Sequence, residues 1–112
     1  MDVQQIKTKL TSHTYDQFVF TDYAKFKLEK RVIKKDTIIN HLSNPRELLS
    51  VEPEVVRNEK RFKLRFKISN KRVLVVIIKF NNTVTIITSY IQYPRWVRRI
   101  DLRRRRYYDK KV

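Results

Sequence analysis

Residues 61–68, RFKLRFKI, alternate strictly between a cationic and an apolar side chain. Because successive side chains of a β-strand point to opposite faces of a sheet, this period predicts a half-buried strand. Its predicted buried positions are Phe62, Leu64, Phe66 and Ile68, and its outward positions are Arg61, Lys63, Arg65 and Lys67. Four like charges about 7 Å apart repel one another unless something negative lies across them. The outward row therefore indicates either a surface for an anionic partner or a solvated sheet face that resists aggregation.

The chain after this strand predicts the rest of an antiparallel meander. Residues 73–80 are rich in β-branched side chains and almost uninterrupted in apolar character, which is typical of a central strand buried on both faces. Residues 83–91 predict a further strand, and a shorter strand near residues 48–51 would precede the meander. In the strand over residues 83–91, alternation places four side chains on one side: Val84, Ile86, Thr88 and Tyr90.

The first half of the chain shows mainly helical patterns. Together with the predicted strands, they indicate the fold class. The predicted elements are a weakly amphipathic helix over residues 3–10, a short strand over 18–20, a helix that Thr21-Asp22 caps and that runs to about Arg31, and a helix from Asp36 to Asn44. We predict an α+β fold in which two short N-terminal helices pack on one face of a three- to four-stranded antiparallel meander. Because strand alternation ends before Pro94, a single α+β domain over residues 1–94 and an Arg-rich C-terminal tail over residues 95–112 are expected.

Composition narrows the class of protein. The 27 Lys and Arg residues against 11 Asp and Glu leave a formal charge of +16, which favours polyanionic partners. There is no Cys and no Gly, which excludes disulfides, cysteine-ligated zinc and glycine-built phosphate loops. No cluster of His, Asp and Glu has metal-ligand spacing, and we expect neither a metal nor another cofactor. With no bilayer-length apolar run and no signal peptide, we expect a cytoplasmic protein and disfavour a membrane partner.

The tail is the strongest functional signal. Arginine supplies a planar fork that pairs with phosphate, and aromatic rings offer faces on which unpaired bases stack. The candidate nucleic-acid-binding residues of the tail are Arg95, Trp96, Arg98, Arg99, Arg103, Arg104, Arg105, Arg106, Tyr107 and Tyr108. Two other interpretations stay open, a solubilising tail and an anchor to an anionic membrane, although the tail lacks the broad apolar face that interfacial insertion requires.

The segment FTDYAKFKLEKRVIKKDTIINHLSNP, followed by RFKLRFKI, VLVVIIKF and TVTIITSYI, resembles small prokaryotic domains allied to the RelE/ParE-type toxins. It is most similar to their BrnT-like and phage-associated relatives, over residues 18–91. The resemblance implies an RNA-directed toxin-like fold whose antitoxin partner is usually acidic, or a descendant that kept the nucleic-acid surface and lost the chemistry. Arg31 matches the recurrent Arg at the end of the first helix, whereas Tyr23 stands where the family often has His.

Catalysis is a separate question. A metal-free ribonuclease needs a base for the 2′-hydroxyl, an acid for the leaving oxygen and cations for the charge on the phosphorane. The candidate residues are Arg31, Tyr23, Tyr90 and His41, with His13 and Arg95 as further options. His41 lies beside the apolar positions of its helix and His13 lies in a polar loop, so both also fit purely structural roles. The sequence leaves an enzyme open and favours weak or absent cleavage.

These patterns favour a nucleic-acid-binding protein, with RNA favoured over DNA. It would hold phosphates with the Arg-rich tail and with the cationic row Arg61, Lys63, Arg65 and Lys67. The alternative is a metal-free mRNA-cleaving toxin of RelE/ParE type that an acidic antitoxin neutralises. A third class is a protein-interaction module whose cationic surface holds an acidic protein partner.

Overall fold

The computed structural model describes residues 1–93, and the predicted tail lies outside this part of the chain. Within it, three α-helices precede most of a five-stranded sheet. The helices are α1 (Val3–Thr11), α2 (Asp22–Arg31) and α3 (Lys35–Ser43); the strands are β1 (Phe18–Phe20), β2 (Leu48–Val56), β3 (Glu59–Ser69), β4 (Arg72–Phe80) and β5 (Val84–Gln92). Short 3₁₀ turns at Tyr15–Gln17 and Pro45–Glu47 lead into β1 and β2.

Side-chain caps fix the beginnings of α1 and α2. The Asp2 carboxylate accepts a hydrogen bond from the Gln5 backbone N–H at 2.8 Å, and the Gln5 amide oxygen accepts one from the Asp2 N–H at 2.9 Å. The Thr21 hydroxyl accepts a hydrogen bond from the Ala24 N–H at 3.0 Å. These contacts satisfy N–H groups that the first turn of a helix leaves unpaired. The cap at Thr21 is the predicted one.

The α+β class is confirmed, and the details of the sheet correct the prediction. The strand order is β1-β5-β4-β3-β2; β2 to β5 form the antiparallel meander, and β1 pairs in parallel with the start of β5. The helix predicted over residues 3–10 and the strand predicted over 18–20 are present as α1 and β1, so the fold has three helices and a mixed five-stranded sheet where the overall prediction had two helices and a three- to four-stranded antiparallel meander. The turn at Arg57-Asn58 has positive φ at both residues and lets β2 run to Val56, well beyond residue 51. Arginine is not a residue that favours this conformation, so the sequence does not reveal the hairpin.

One continuous hydrophobic cluster joins the helices to one face of the sheet. Phe62, Leu64 and Phe66 of β3 are buried, as predicted, and pack in the same cluster as residues from all three helices. The other members of this cluster are Ile6, Leu10, Phe18, Ala24, Leu28, Ile38, Ile39, Leu42, Leu48, Leu74, Val76, Ile78, Val84 and Ile86. The opposite face of the sheet, called the outer face below, carries the cationic positions of β3.

A β-bulge in β5 reverses part of the predicted alternation. Ile78 pairs with Ile86 and Ile77 with Thr88, so Ile87 is an extra residue in β5. Because one inserted residue moves every later side chain to the other face, Thr88 and Tyr90 lie on the outer face, opposite to Val84 and Ile86. The prediction that these four side chains share one side is therefore wrong.

Helix α2 ends in a strained conformation. Val32 follows its last residue with φ of 55° and ψ of 48°, and the Ile33 N–H donates to the Leu28 carbonyl at 3.0 Å. This hydrogen bond is typical of a Schellman C-cap, whose left-handed position favours Gly. A β-branched residue is an outlier there, because its side chain crowds the backbone. The Val32 side chain is 88% exposed, so little packing offsets the strain.

We predict that Val32→Gly stabilises the protein by about 1 kcal/mol, since it removes this strain and loses little buried surface. Thermal unfolding followed by circular dichroism would then show a midpoint roughly 4–8 °C higher. Val55→Gly is the matched control, because Val55 is also an exposed valine but lies within strand β2, where glycine should lower the midpoint. A midpoint for Val32→Gly at or below that of the wild type would contradict the prediction.

Candidate functional site

The outer face is built from rows of residues that the strand register places side by side. Arg65 of β3 lies opposite Val75 of β4, which in turn lies opposite Tyr90 of β5. The neighbouring rows are Lys63, Ile77 and Thr88 on one side and Lys67, Val73 and Gln92 on the other. Val75 is fully buried between its two long neighbours. The outer face thus has an apolar centre with cations along β3 and hydroxyl and aromatic groups along β5.

Carboxylates neutralise part of the cationic row. Glu52 of β2 accepts a hydrogen bond from Arg65 Nη1 at 3.0 Å. Glu59 contacts Arg61 Nε and Lys79 Nζ, both at 2.8 Å, and hydrogen bonds from Lys79 and Arg61 hold the pKa of its carboxyl below the usual range. Part of the negative charge that offsets repulsion within the row thus comes from residues 1–93 themselves, at Arg61 and Arg65. Glu52 is on the neighbouring strand β2, which a pattern within β3 does not reveal, whereas Glu59 is on β3 itself, two residues before Arg61.

Two lysines of the row keep their charge available. Within residues 1–93, neither Lys63 nor Lys67 forms an ion pair with a carboxylate. They lie on either side of Arg65 on β3, and neighbouring side chains on this face of the strand are about 7 Å apart. Glu52 lies opposite Lys63 in the β2–β3 register but directs its carboxylate to Arg65, so an anion that approaches the outer face meets two lysines without an ion-pair partner in this part of the chain.

Arg31 and Tyr90, both candidates from the sequence, lie together at the β5 side of this face. Arg31 Nη1 donates to the Ser89 carbonyl at 2.8 Å and to Thr88 Oγ1 at 3.2 Å. The guanidinium carbon is 5.7 Å from the centre of the Tyr90 ring, which is within cation–π range. Two hydrogen bonds from one nitrogen leave Nε and Nη2 of Arg31 without a partner in the described residues. The side chain is thus fixed in position and still has donors for a ligand.

Hydrogen bonds between Thr21 and β5 position helix α2 so that Arg31, at its end, reaches this place. The Thr21 backbone N–H donates to the Ile86 carbonyl at 3.1 Å, and its hydroxyl donates to the Ile87 carbonyl at 3.2 Å. Both acceptors lie at the bulge of β5, so the residue that precedes α2 is attached to the bulge itself. Helix α2 then runs beside β5, and its last residue meets Thr88 and Ser89.

The other catalytic candidates lie elsewhere. His41 Nδ1 donates to the Thr37 carbonyl at 2.7 Å, and its ring packs edge-on against Phe66 at 5.6 Å between ring centres, on the helix side of the sheet. Tyr23 lies two turns before Arg31 on α2, with the Lys27 ammonium 5.5 Å from its ring centre. The structure therefore does not assemble Tyr23 and His41 with Arg31 and Tyr90 into one site.

His13, which follows the C-cap of α1, also has a structural environment. Its Nδ1 lies 2.8 Å from the Lys9 carbonyl, and its ring stacks against Phe80 at 6.0 Å between centres. No group of three or more His, Cys, Asp or Glu residues in the described part of the chain is arranged to hold a metal ion. No helix within residues 1–93 is long and apolar enough to cross a membrane.

A second cationic region, which the sequence patterns did not single out, lies on α2 and the turn to α3. The segment KFKLEKRVIKK, residues 25–35, holds six cations and one acid. A count of charges along the sequence could have found this region. Its density of net positive charge exceeds that of the row Arg61, Lys63, Arg65 and Lys67 once the negative charges of Glu52 and Glu59 are subtracted. The remaining predicted binding residues, Arg95, Trp96, Arg98, Arg99, Arg103, Arg104, Arg105, Arg106, Tyr107 and Tyr108, lie outside the described residues.

Comparisons of this chain with protein-family models, with curated proteins and with solved structures found no match.

Proposed function

We propose that this protein binds nucleic acid, RNA in preference to DNA, through the outer face of its sheet together with the Arg-rich tail. The observation that carries the proposal is the grouping on one face of the sheet of Lys63 and Lys67, which lack carboxylate partners within residues 1–93, with the fixed pair Arg31 and Tyr90. Cations that hold phosphates and a ring that accepts a base are the two contacts that single-stranded nucleic acids require.

Long-range charge supports the same proposal. Residues 1–93 hold eighteen Lys and Arg against nine Asp and Glu, a net charge of +9, and residues 95–112 add +7. Such an excess draws a polyanion towards the protein from beyond contact distance and releases counterions from it on binding. Tail and sheet would then act on one strand, since the tail follows directly after β5 in the sequence.

Tyr90 favours RNA with unpaired bases over a duplex. A tyrosine ring between two arginines, Arg31 beside it and Arg65 two strands away in the same row, suits a base that has left a helical stack. Among the described residues, the longest helix, α2, packs along β5, and nothing in its sequence identifies it as a helix that reads base edges. We therefore propose binding without sequence specificity.

A second candidate function is metal-free RNA cleavage, as the resemblance to RelE/ParE-type toxins implies. The contact of Arg31 with Tyr90 favours it, because the guanidinium could stabilise phosphorane charge and the phenol could exchange a proton. Both histidines argue against it, since each has Nδ1 directed to a backbone carbonyl and a ring packed on phenylalanine. An acidic protein partner is the third candidate and competes for the same cations.

Binding should depend steeply on salt. If about six phosphates of duplex DNA are neutralised, log K falls with log salt at a slope of roughly −5, and fluorescence anisotropy between about 50 and 200 mM salt measures it. Glu52→Gln should tighten binding and steepen the slope by about 0.9, because it releases Arg65 to contact one more phosphate.

Glu47→Gln is the matched control, because it removes the same charge from the 3₁₀ turn before β2, away from the outer face. It should leave the salt slope unchanged. Affinity that is independent of salt would rule out the proposed function, and equal slopes for the two variants would exclude Arg65 from the interface.

Deletion of residues 95–112 should leave a folded domain with weaker binding. All three helices and all five strands of residues 1–93 contribute to one hydrophobic cluster, which supports cooperative unfolding without the tail. Loss of +7 should weaken binding at least tenfold, about 1.4 kcal/mol. Circular dichroism checks the fold and anisotropy the affinity. An unfolded truncated chain would place the domain boundary elsewhere, and unchanged affinity would exclude the tail from the binding site.

We predict weak or absent cleavage of single-stranded RNA in a metal-free reaction. The measurement is product formation on a denaturing gel with wild type, Arg31→Ala and Tyr90→Phe. Activity that is lost in either variant, with the fold intact by circular dichroism, would contradict this prediction and favour the toxin-like function.

A further inference from the structure

Helix α2 carries an exposed stripe of an aromatic ring and two cations. Tyr23, Lys27 and Arg31 are spaced four residues apart, which places them on one side of the helix. The Tyr23 ring is 55% exposed although helix α2 buries Ala24 and Leu28 directly beside it. The Tyr23 ring thus stands in solvent beside cations, where the face of a ligand's ring can reach it.

The stripe is continuous with the outer face. Its last member, Arg31, is the residue that contacts Thr88, Ser89 and Tyr90 of β5. From Arg31 to Tyr23 the helix rises about 12 Å, which corresponds to three or four nucleotides at the roughly 3.4 Å rise of a stacked strand. A strand that crosses the edge of β5 at Arg31 can therefore continue along α2.

We infer that α2 is a second contact surface for a single-stranded RNA, with an unpaired base stacked on Tyr23 and a phosphate bound by Lys27. The inference rests on the proposed function and deepens it, since it assigns Tyr23 a binding role in place of a catalytic one. The Lys27 ammonium lies 5.5 Å from the Tyr23 ring centre on a flexible side chain. It can move to a phosphate without a change in the helix, which frees that face of the ring.

The surroundings of the stripe fit a polyanion. Residues 25–35 carry six cations against the single carboxylate of Glu29. A second pair on the adjoining side of α2, Phe26 and Lys30, has the same arrangement, with the ammonium 5.0 Å from the ring centre of a half-exposed phenylalanine. An exposed ring beside a lysine thus occurs twice within the ten residues of α2. This repeat suits successive nucleotides, each of which has one base and one phosphate.

The ring distinguishes a single strand from other polyanions. Bases of a duplex are already stacked inside the helix, so they cannot use the face of Tyr23, whereas both forms of RNA can contact Lys27. An acidic protein segment would use the lysines and gain no stacking. The outer face and α2 both present aromatic rings beside cations. This arrangement favours an unpaired strand as the ligand.

The experiment measures affinities of the full-length protein for a labelled single-stranded RNA of roughly 12 nucleotides and for the matched RNA duplex. Tyr23→Ala should weaken binding of the single strand about tenfold, Tyr23→Phe should keep it within about twofold, and duplex binding should not change. Tyr15→Ala is the matched control, because Tyr15 is also an exposed tyrosine, 62% exposed, but its hydroxyl donates to the Asp36 carboxylate. It should bind like the wild type.

A second variant tests the phosphate contact. Lys27→Ala should make the salt slope for the single strand shallower by about 0.7, whereas Lys7→Ala on α1 should leave it unchanged. If the wild type binds neither RNA, the proposed function itself fails. If it binds with the expected salt dependence while Tyr23→Ala and Lys27→Ala match their controls, only the inference about α2 is overturned. Binding of a poly-glutamate peptide in preference to both RNAs would overturn it as well.

Discussion

The attachment of Thr21 to the bulge of β5 is the constraint on which the candidate site depends. One residue caps α2 through Ala24 and also donates two hydrogen bonds to the carbonyls of Ile86 and Ile87. The bulge turns Tyr90 to the outer face, and the attachment aligns α2 so that Arg31 lies beside it. Without the extra residue at Ile87, Tyr90 would face the core and Arg31 would lose its aromatic partner at this edge.

Charge is distributed on the outer face so that part of it stays available. Glu52 and Glu59 form ion pairs that hold Arg65, Arg61 and Lys79 in defined positions. Their carboxylates also lower the net positive charge of this face. Such partly exposed ion pairs contribute little to stability, because water and salt screen them. Their main effect is on where phosphates would bind, since Lys63 and Lys67 carry no such partner within residues 1–93. The α2 segment adds further cations beside Arg31, which extends the positive surface around the edge of β5.

The sequence predicted elements whose signals are local. Alternation over residues 61–68 indicated β3 and its buried face, and Thr21 was recognised as a cap because its side chain acts within its own helix turn. The parallel pairing of β1 with β5 was not predictable from three apolar residues, since nothing in Phe18–Phe20 specifies a partner 66 residues away in register. A bulge leaves no local signal either, as Ile87 continues the apolar pattern of its strand. Arg31 and Tyr90 were named individually, but only the bulge brings them together.

The proposed binding of nucleic acid along the outer face and α2 is tested most directly by a map of NMR chemical-shift changes of side-chain methyl groups on titration with a single-stranded RNA. We expect the largest changes at Thr88 and Ile77, because these side chains lie on the outer face and are partly exposed. Methyl groups of Leu10 and Ile38, in the core beneath the sheet, should change little. Changes confined to the helix side of the sheet, or none anywhere in residues 1–93 despite tight binding, would contradict this account of the site.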